Sequence, residues 1–126
     1  MTSLSATQAS YPYQNEPSWS KSEKIVARAA FDAALKRELR EVMREAKQKA
    51  NGIKEPADVW ELEHYLTERR EDIDRKYDYR YSQLTHVFGR LLHEGRVSEE
   101  ELRGLREDML KSIRSFAKFL AEDTAA

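Results

Sequence analysis

The chain has no cysteine, four glycines, three prolines and almost no net charge: across 126 residues, 22 Lys and Arg stand against 23 Asp and Glu, leaving −1. Without cysteine there can be no disulfide staple, no thiol nucleophile and no zinc site built on thiolates. With so few helix breakers, long uninterrupted elements are expected. The cancelling charges argue against a general polyanion binder, which carries a clear positive excess, so no nucleic-acid partner is expected. No apolar run approaches the roughly 18 residues of a membrane span, and no charged-then-apolar leader opens the chain. A cytoplasmic protein with no membrane partner is therefore the expectation. What is plentiful is charge itself, at 36% of residues. Such a chain is usually a thin, helix-rich shape or hides part of its surface in an oligomer.

Residues 1–18 are rich in Ser, Thr, Gln, Asn and Pro, without apolar periodicity, and read as a disordered N-terminal arm. Tyr11, Tyr13 and the following Trp19 are the side chains there able to dock. From residue 19 to 126 the chain reads as a single all-α domain. Ser20 and Glu23 have capping-box spacing, and Phe31, Leu35, Leu39, Val42 and Ala46 form one helical stripe, predicting a long helix over 20–50. Asn51-Gly52 suits a left-handed cap, and Pro56 suits the first turn of a second helix.

From Val59 to Leu91 apolar residues recur at about helical spacing, predicting a second long helix over 57–94, with a break near 67–70 as an alternative. A strict heptad fails because Lys76, Arg80 and Gln83 would fall on its core positions. Ser98 and Glu101 repeat the capping box, with Val97 and Leu102 as a hydrophobic staple, predicting short helices over 98–106 and 108–121. No strand pattern is evident. Two such long helices cannot both be covered by two short ones, so a symmetric homodimer is expected to cover their stripes.

The densest stretch, Asp58 to Ser82, holds eight acids, five Lys/Arg and five aromatics. A solvated face explains the charges but not Trp60, Tyr65, Tyr77, Tyr79 and Tyr81. Aromatics interleaved with arginine are the composition of protein–protein interfaces. Glu61-x-x-His64 matches half of a di-iron helix motif, but no helix offers clearly inward glutamates to complete it, and the bland surface reading prevails. His86 and His93 share a helix face without a third donor. There is no Gly-rich phosphate loop, no Gly-x-Ser-x-Gly and no His-Glu-x-x-His. No enzyme activity, metal or cofactor is expected.

The strings Asp58-Val59-Trp60-x-Leu62, Leu66-x-x-Arg69-Arg70-x-Asp72-Ile73-Asp74 and Lys76-Tyr77-Asp78-Tyr79-Arg80-Tyr81-Ser82, followed by Val87-Phe88-x-Arg90-Leu91, resemble the fluorescence recovery protein family of cyanobacteria over roughly residues 19–115. The tyrosine-rich run is the specific part. The resemblance implies an all-helical, elongated antiparallel homodimer with a small C-terminal helical head and no cofactor. It also implies binding to the C-terminal domain of the photoactivated orange carotenoid protein, speeding that protein's return to its inactive orange state.

Carried over residue by residue, Trp60, Arg69 and Arg70 match the family's interface stretch. Val59 and Leu62 match apolar dimer positions, and Leu66 continues that stretch. Asp72, Asp74, Tyr77, Asp78, Tyr79, Arg80 and Tyr81 match its polar-aromatic segment, and Phe88 lies in its head. Three positions depart. Glu63-His64 stands where a His-Asp pair is typical, so acid and imidazole are each turned by about 100°. His86 replaces an aromatic of the head, and Ser112 replaces a basic residue. The family resemblance extends to bacteria without a light-harvesting antenna, so a different, unknown protein partner is the alternative.

Overall fold

A computed structural model describes residues 18–125, with side chains through Asp123; Tyr11 and Tyr13, and the rest of the expected arm up to Pro17, lie outside them. Among the described residues there are four α-helices: α1 (Lys21–Asn51), α2 (Pro56–Lys76), α3 (Leu84–His93) and α4 (Glu107–Ala125), with a 3-10 turn at Glu100–Leu102 before α4. No strand occurs among the described residues. The protein is all-helical.

Each helix start has a physical cause. The capping box of α1 is present: the Ser20 hydroxyl accepts from the Glu23 amide at 3.2 Å, and the Glu23 carboxylate accepts from the Ser20 amide at 2.9 Å. Glu23 also accepts the amide of Arg106 at 3.1 Å, and so covers an orphan donor at the start of α4 from 83 residues away. Pro56 occupies the first turn of α2. Asp58 accepts the amides of Lys54 and Glu55 at 2.9 and 3.0 Å.

The structure corrects three expected boundaries. Gly52 ends α1 at φ −88°, so the Asn51-Gly52 pair is not a left-handed cap; its amide bonds back to Gln48 and Lys49 carbonyls at 3.1 Å each. The expected helix over 57–94 is broken, and the break lies at 77–83, not near 67–70. The helix expected over 98–106 shrinks to three residues, although the Ser98–Glu101 capping box does form. Gly104, at φ +110°, ends that turn, and a Cβ there would meet Val26 at 2.9 Å.

The break at 77–83 is made by aromatic packing. Tyr77, Tyr79 and Tyr81 alternate along a non-helical segment. The rings of Tyr77 and Tyr79 stand edge-on to Phe31 at 5.4 and 4.8 Å between centroids, and Tyr81 lies 5.6 Å from Trp19. The Trp19 indole donates to the Tyr81 carbonyl at 3.1 Å. Such ring pairs are worth about 0.5–1.5 kcal/mol each beyond the area they bury, which outweighs the modest helix propensity of tyrosine.

The core sits at one end of the molecule. It joins the first half of α1 (Ala27, Ala30, Phe31, Ala34) to Leu84, Phe88 and Leu91 of α3, Leu102 and Leu105 of the connection, and Met109 and Ile113 of α4. Gly89 lets α3 and α4 close on each other, since a Cβ there would stand 2.9 Å from Phe116. Beyond Ala34, α1 buries no apolar side chain, and α2 buries one, Ile73. The rest of the α1–α2 pair is a two-helix stalk held by polar contacts.

Candidate protein-binding surface

The stalk is tied to the core by an ion cluster around Glu38, which is wholly buried. One carboxylate oxygen of Glu38 receives Arg69 Nη2 at 2.7 Å and Lys76 Nζ at 2.8 Å; the other receives the Tyr77 hydroxyl at 2.8 Å and lies 3.2 Å from Arg96 Nε. Glu94 takes Lys76 at 2.8 Å, Arg96 at 2.9 Å and Arg90 at 3.2 Å, and Glu41 takes Arg96 at 3.2 Å. Asp72 completes the set, 3.6 Å from Arg69, 3.8 Å from Lys76 and 4.0 Å from Arg90. The acids Glu38, Glu41, Asp72 and Glu94 thus balance Arg69, Lys76, Arg90 and Arg96, which is how so many charges can be withdrawn from water together.

Burial alone would push the Glu38 carboxyl up, but the hydrogen bonds from Lys76, Tyr77 and Arg69 outweigh it and hold it below the ordinary carboxylate range. Glu94 behaves alike: burial raises it, and the bonds from Lys76 and Arg96 bring it below its ordinary value. Burial pushes the Tyr77 phenol up, and donation to Glu38 adds to that shift. Arg96 is held fully charged. The cluster spans α1, the end of α2, the end of α3 and the turn after it, so it fixes the angle between stalk and head.

This geometry divides the residues that the sequence analysis singled out. Arg69, Asp72 and Tyr77 face inward, and their main contacts are within the chain. Tyr79 packs on Phe31 and beneath Arg28, whose guanidinium lies 3.7 Å from its ring centroid. Phe88 is wholly buried in the core and presents no surface. Arg80 bonds Asp78 through Nε at 2.8 and 3.0 Å, bracing the break. Arg75 lies 3.9 Å from Asp72, at the outer edge of the cluster.

The opposite face of α2 is open. Trp60 is 68% exposed, and Val59 and Leu66 are exposed beside it, with Leu62 half-buried. At 100° per residue Trp60, Glu63, Arg70 and Asp74 fall within a sector of about 80°, and all four are exposed. Glu63 accepts from Thr67 at 3.0 Å, and His64 lies 3.2 Å from Glu68, so His64 makes no pair with Glu61. Among the described residues no group of three His, Asp or Glu is placed to hold a metal. On α1, Leu39 and Met43 are also exposed, over the length of stalk between the Glu38–Arg69 and Glu45–Tyr65 contacts.

In the head, His86 and Ser112 come together in one groove of about 480 Å³ between α3 and α4, floored by Phe116 and Phe119. The His86 ring stands edge-on to Phe116 at 4.9 Å. Glu38, Lys76, Glu94 and Arg96, which organise the whole stalk–head junction, were not singled out from sequence. Their contacts between elements span 18 to 58 positions, which no local spacing reveals. The local signals were the i,i+4 spacings of Asp72–Lys76 and Arg90–Glu94 and the placing of Lys76 on a core position of the heptad.

No helix among the described residues is long and apolar enough to cross a membrane. The family model described as photoprotection regulator fluorescence recovery protein matches residues 19–117. The fluorescence recovery protein of Synechocystis sp. is 38% identical over 103 residues, covering 82% of this chain and 94% of that protein. Two solved structures superpose on the fold with a TM-score of 0.77 each, covering 80% of this chain and 99% of theirs: the Fremyella diplosiphon fluorescence recovery protein at 40% identity and the Synechocystis protein at 38%. An all-helical chain with its specific tyrosine-rich break, matched this closely over four-fifths of its length, belongs to the fluorescence recovery protein family of photoprotection regulators.

Proposed function

We propose that this chain is a non-enzymatic regulator that works as an antiparallel homodimer and binds the photoactivated orange carotenoid protein through that partner's C-terminal domain, speeding its return to the inactive orange state. The observation that carries the reading is the uncovered stalk: α1 beyond Ala34 and most of α2 lack a core, yet Trp60, Val59, Leu66, Leu39 and Met43 stand exposed there. A second copy packed along the stalk supplies the missing layer. Trp60 and Arg70, both exposed on that face, then supply the aromatic and arginine side chains in which interface hot spots are enriched. The ion cluster keeps the head at a fixed angle to that surface, so a partner meets a pre-organised shape rather than a hinge. The soluble compartment of the cell is the place where such a partner would be met.

The test is co-elution from a sizing column with illuminated orange carotenoid protein. The wild-type chain is expected to elute as a dimer alone and in a complex after illumination; Trp60→Ala should lose the complex. A wild-type chain that elutes separately from the illuminated partner would overturn the reading. The alternative, a family member serving a different protein partner in a host without a carotenoid protein, is favoured by one specific feature: Glu63 and His64 on the open face, in reversed order from the family pattern, together with His86 and Ser112 in the head groove. Separate elution combined with a stable dimer would point to that alternative.

A further inference from the structure

A second groove lies at the core end of the molecule, where the first two turns of α1 meet the tyrosine segment. It is an open, shallow groove of about 460 Å³ lined by Lys21, Lys24, Ile25, Arg28, Ala29, Tyr79 and Tyr81. Its volume is within the range of about 300–1,000 Å³ typical of ligand sites. Ile25 is 65% exposed on its floor, beside two tyrosine rings 5.6 Å apart. The floor is rigid: Tyr79 rests on Phe31, and the Tyr81 carbonyl is held by the Trp19 indole.

The rim carries one sign of charge. Lys24 Nζ sits 4.9 Å from the Tyr81 ring centroid and the Arg28 guanidinium 3.7 Å from that of Tyr79. No carboxylate lines the groove. Asp32 meets Arg28 from outside at 3.4 Å, with both side chains more than half exposed, and neutralises little. Lys21 and Lys24 also stand in the first turn of α1, where the helix dipole disfavours cations. Helix stability therefore does not explain them. In a chain of net charge −1, three cations around an apolar floor, two of them resting on its tyrosine rings, make a local positive excess that an anion bearing an apolar group complements.

We propose that this groove docks an acidic protein segment carrying one apolar anchor side chain, with the anchor on Ile25, Tyr79 and Tyr81 and the carboxylates against Lys21, Lys24 and Arg28. Charge complementarity selects this occupant over a second copy, which would bring its own matching cations to the same rim. The apolar floor selects it over a bare phosphate, and the overall charge of −1 disfavours a nucleic acid. Along α2, Trp60 is about 24 Å from the end of the helix that leads into Tyr77. The site is therefore separate from the open Trp60 face and does not depend on it.

The test uses the full chain with the Ile25 δ-methyl observed by proton–carbon correlation NMR. The probe is a peptide of one leucine flanked on each side by four glutamates. A saturable shift at Ile25 with no shift at Trp60 is expected. The double variant Lys21→Glu/Lys24→Glu, at exposed positions, should keep its thermal midpoint and weaken binding by about tenfold or more, the effect of placing like charges opposite one another. Absence of a saturable shift overturns the proposal, as does equal binding of the same peptide with glutamine in place of glutamate. So does an equal shift with inorganic phosphate or heparin, which would make the site a simple anion or polyanion site. Two further outcomes also overturn it. A concentration-dependent Ile25 shift without peptide identifies a second copy as the occupant. Ring-to-methyl contacts from Tyr11 or Tyr13 identify the chain's own N-terminal segment.

Discussion

Replacing Glu38 with glutamine keeps its shape but removes the charge that Lys76, Arg69 and Arg96 surround. Lys76 is buried and would keep only Glu94 and the more distant Asp72, so Glu38→Gln is expected to cost about 3 kcal/mol, the range for breaking a buried pair from one side. Guanidinium unfolding midpoints measure this. Acid acts on these carboxylates and on the separate Glu101–Arg37 pair. Glu101 is brought down to about 2 by its bonds from Arg37 at 2.8 and 2.5 Å, and the Glu38 and Glu94 carboxyls are also lowered. A lowered folded carboxyl contributes stability that is present above its unfolded value and lost as pH falls through the folded one. Stability should be flat near neutrality and fall from about pH 4.5 towards about pH 2. In Glu101→Gln that fall should be shallower, as thermal midpoints across this window would show. None of this was legible in the sequence. Glu38 sits among Lys36, Arg37, Arg40 and Glu41, a run that reads as solvated helix surface until Arg69, Lys76 and Arg96 are brought to it from elsewhere.

Helix existence was far more legible than helix interruption. The Ser20–Glu23 box and Pro56 are local devices that each open a helix as their spacing suggests, whereas the Ser98–Glu101 box forms but opens only a three-residue turn. The break at 77–83 escaped because Leu84, Phe88 and Leu91 keep helical spacing with the residues before it. The rings that open the helix, Phe31 and Trp19, are supplied by the far end of the chain. Tyr77-x-Tyr79-x-Tyr81 was its local sign, a period of two inside a period near 3.6. The end of α3 is a Schellman motif, with the Arg96 amide on the Leu91 carbonyl at 2.8 Å, the Gly95 amide on Leu92 at 3.1 Å, and Gly95 at φ +76°. Close approach of α3 and α4 makes Gly89→Ala an overpacking change. It is expected to cost about 1–3 kcal/mol, read from calorimetry, with little change in helix content by circular dichroism.

At the scale of the whole molecule, the all-helical fold and family were visible in composition, stripes and the Lys76–Ser82 string, whereas the division of α2 into a clamped face and an open face was not. Residues adjacent in sequence, Arg69 and Arg70, serve opposite sides: the first anchors Glu38, the second stands in water. Arg69→Ala should therefore lower stability, and Arg70→Glu should leave stability near wild type while weakening assembly. Trp60→Ala should weaken the proposed dimer by at least about 2 kcal/mol, as buried aromatic anchors do, which sedimentation equilibrium would show as a shift towards the 14.8 kDa monomer. The most direct test of the proposed role is the rate at which photoactivated orange carotenoid protein returns to its orange form in the dark, followed by absorbance with and without this chain. Acceleration by the wild type and none by Trp60→Ala is the expected result; an unchanged rate with the dimeric wild type in excess would contradict it.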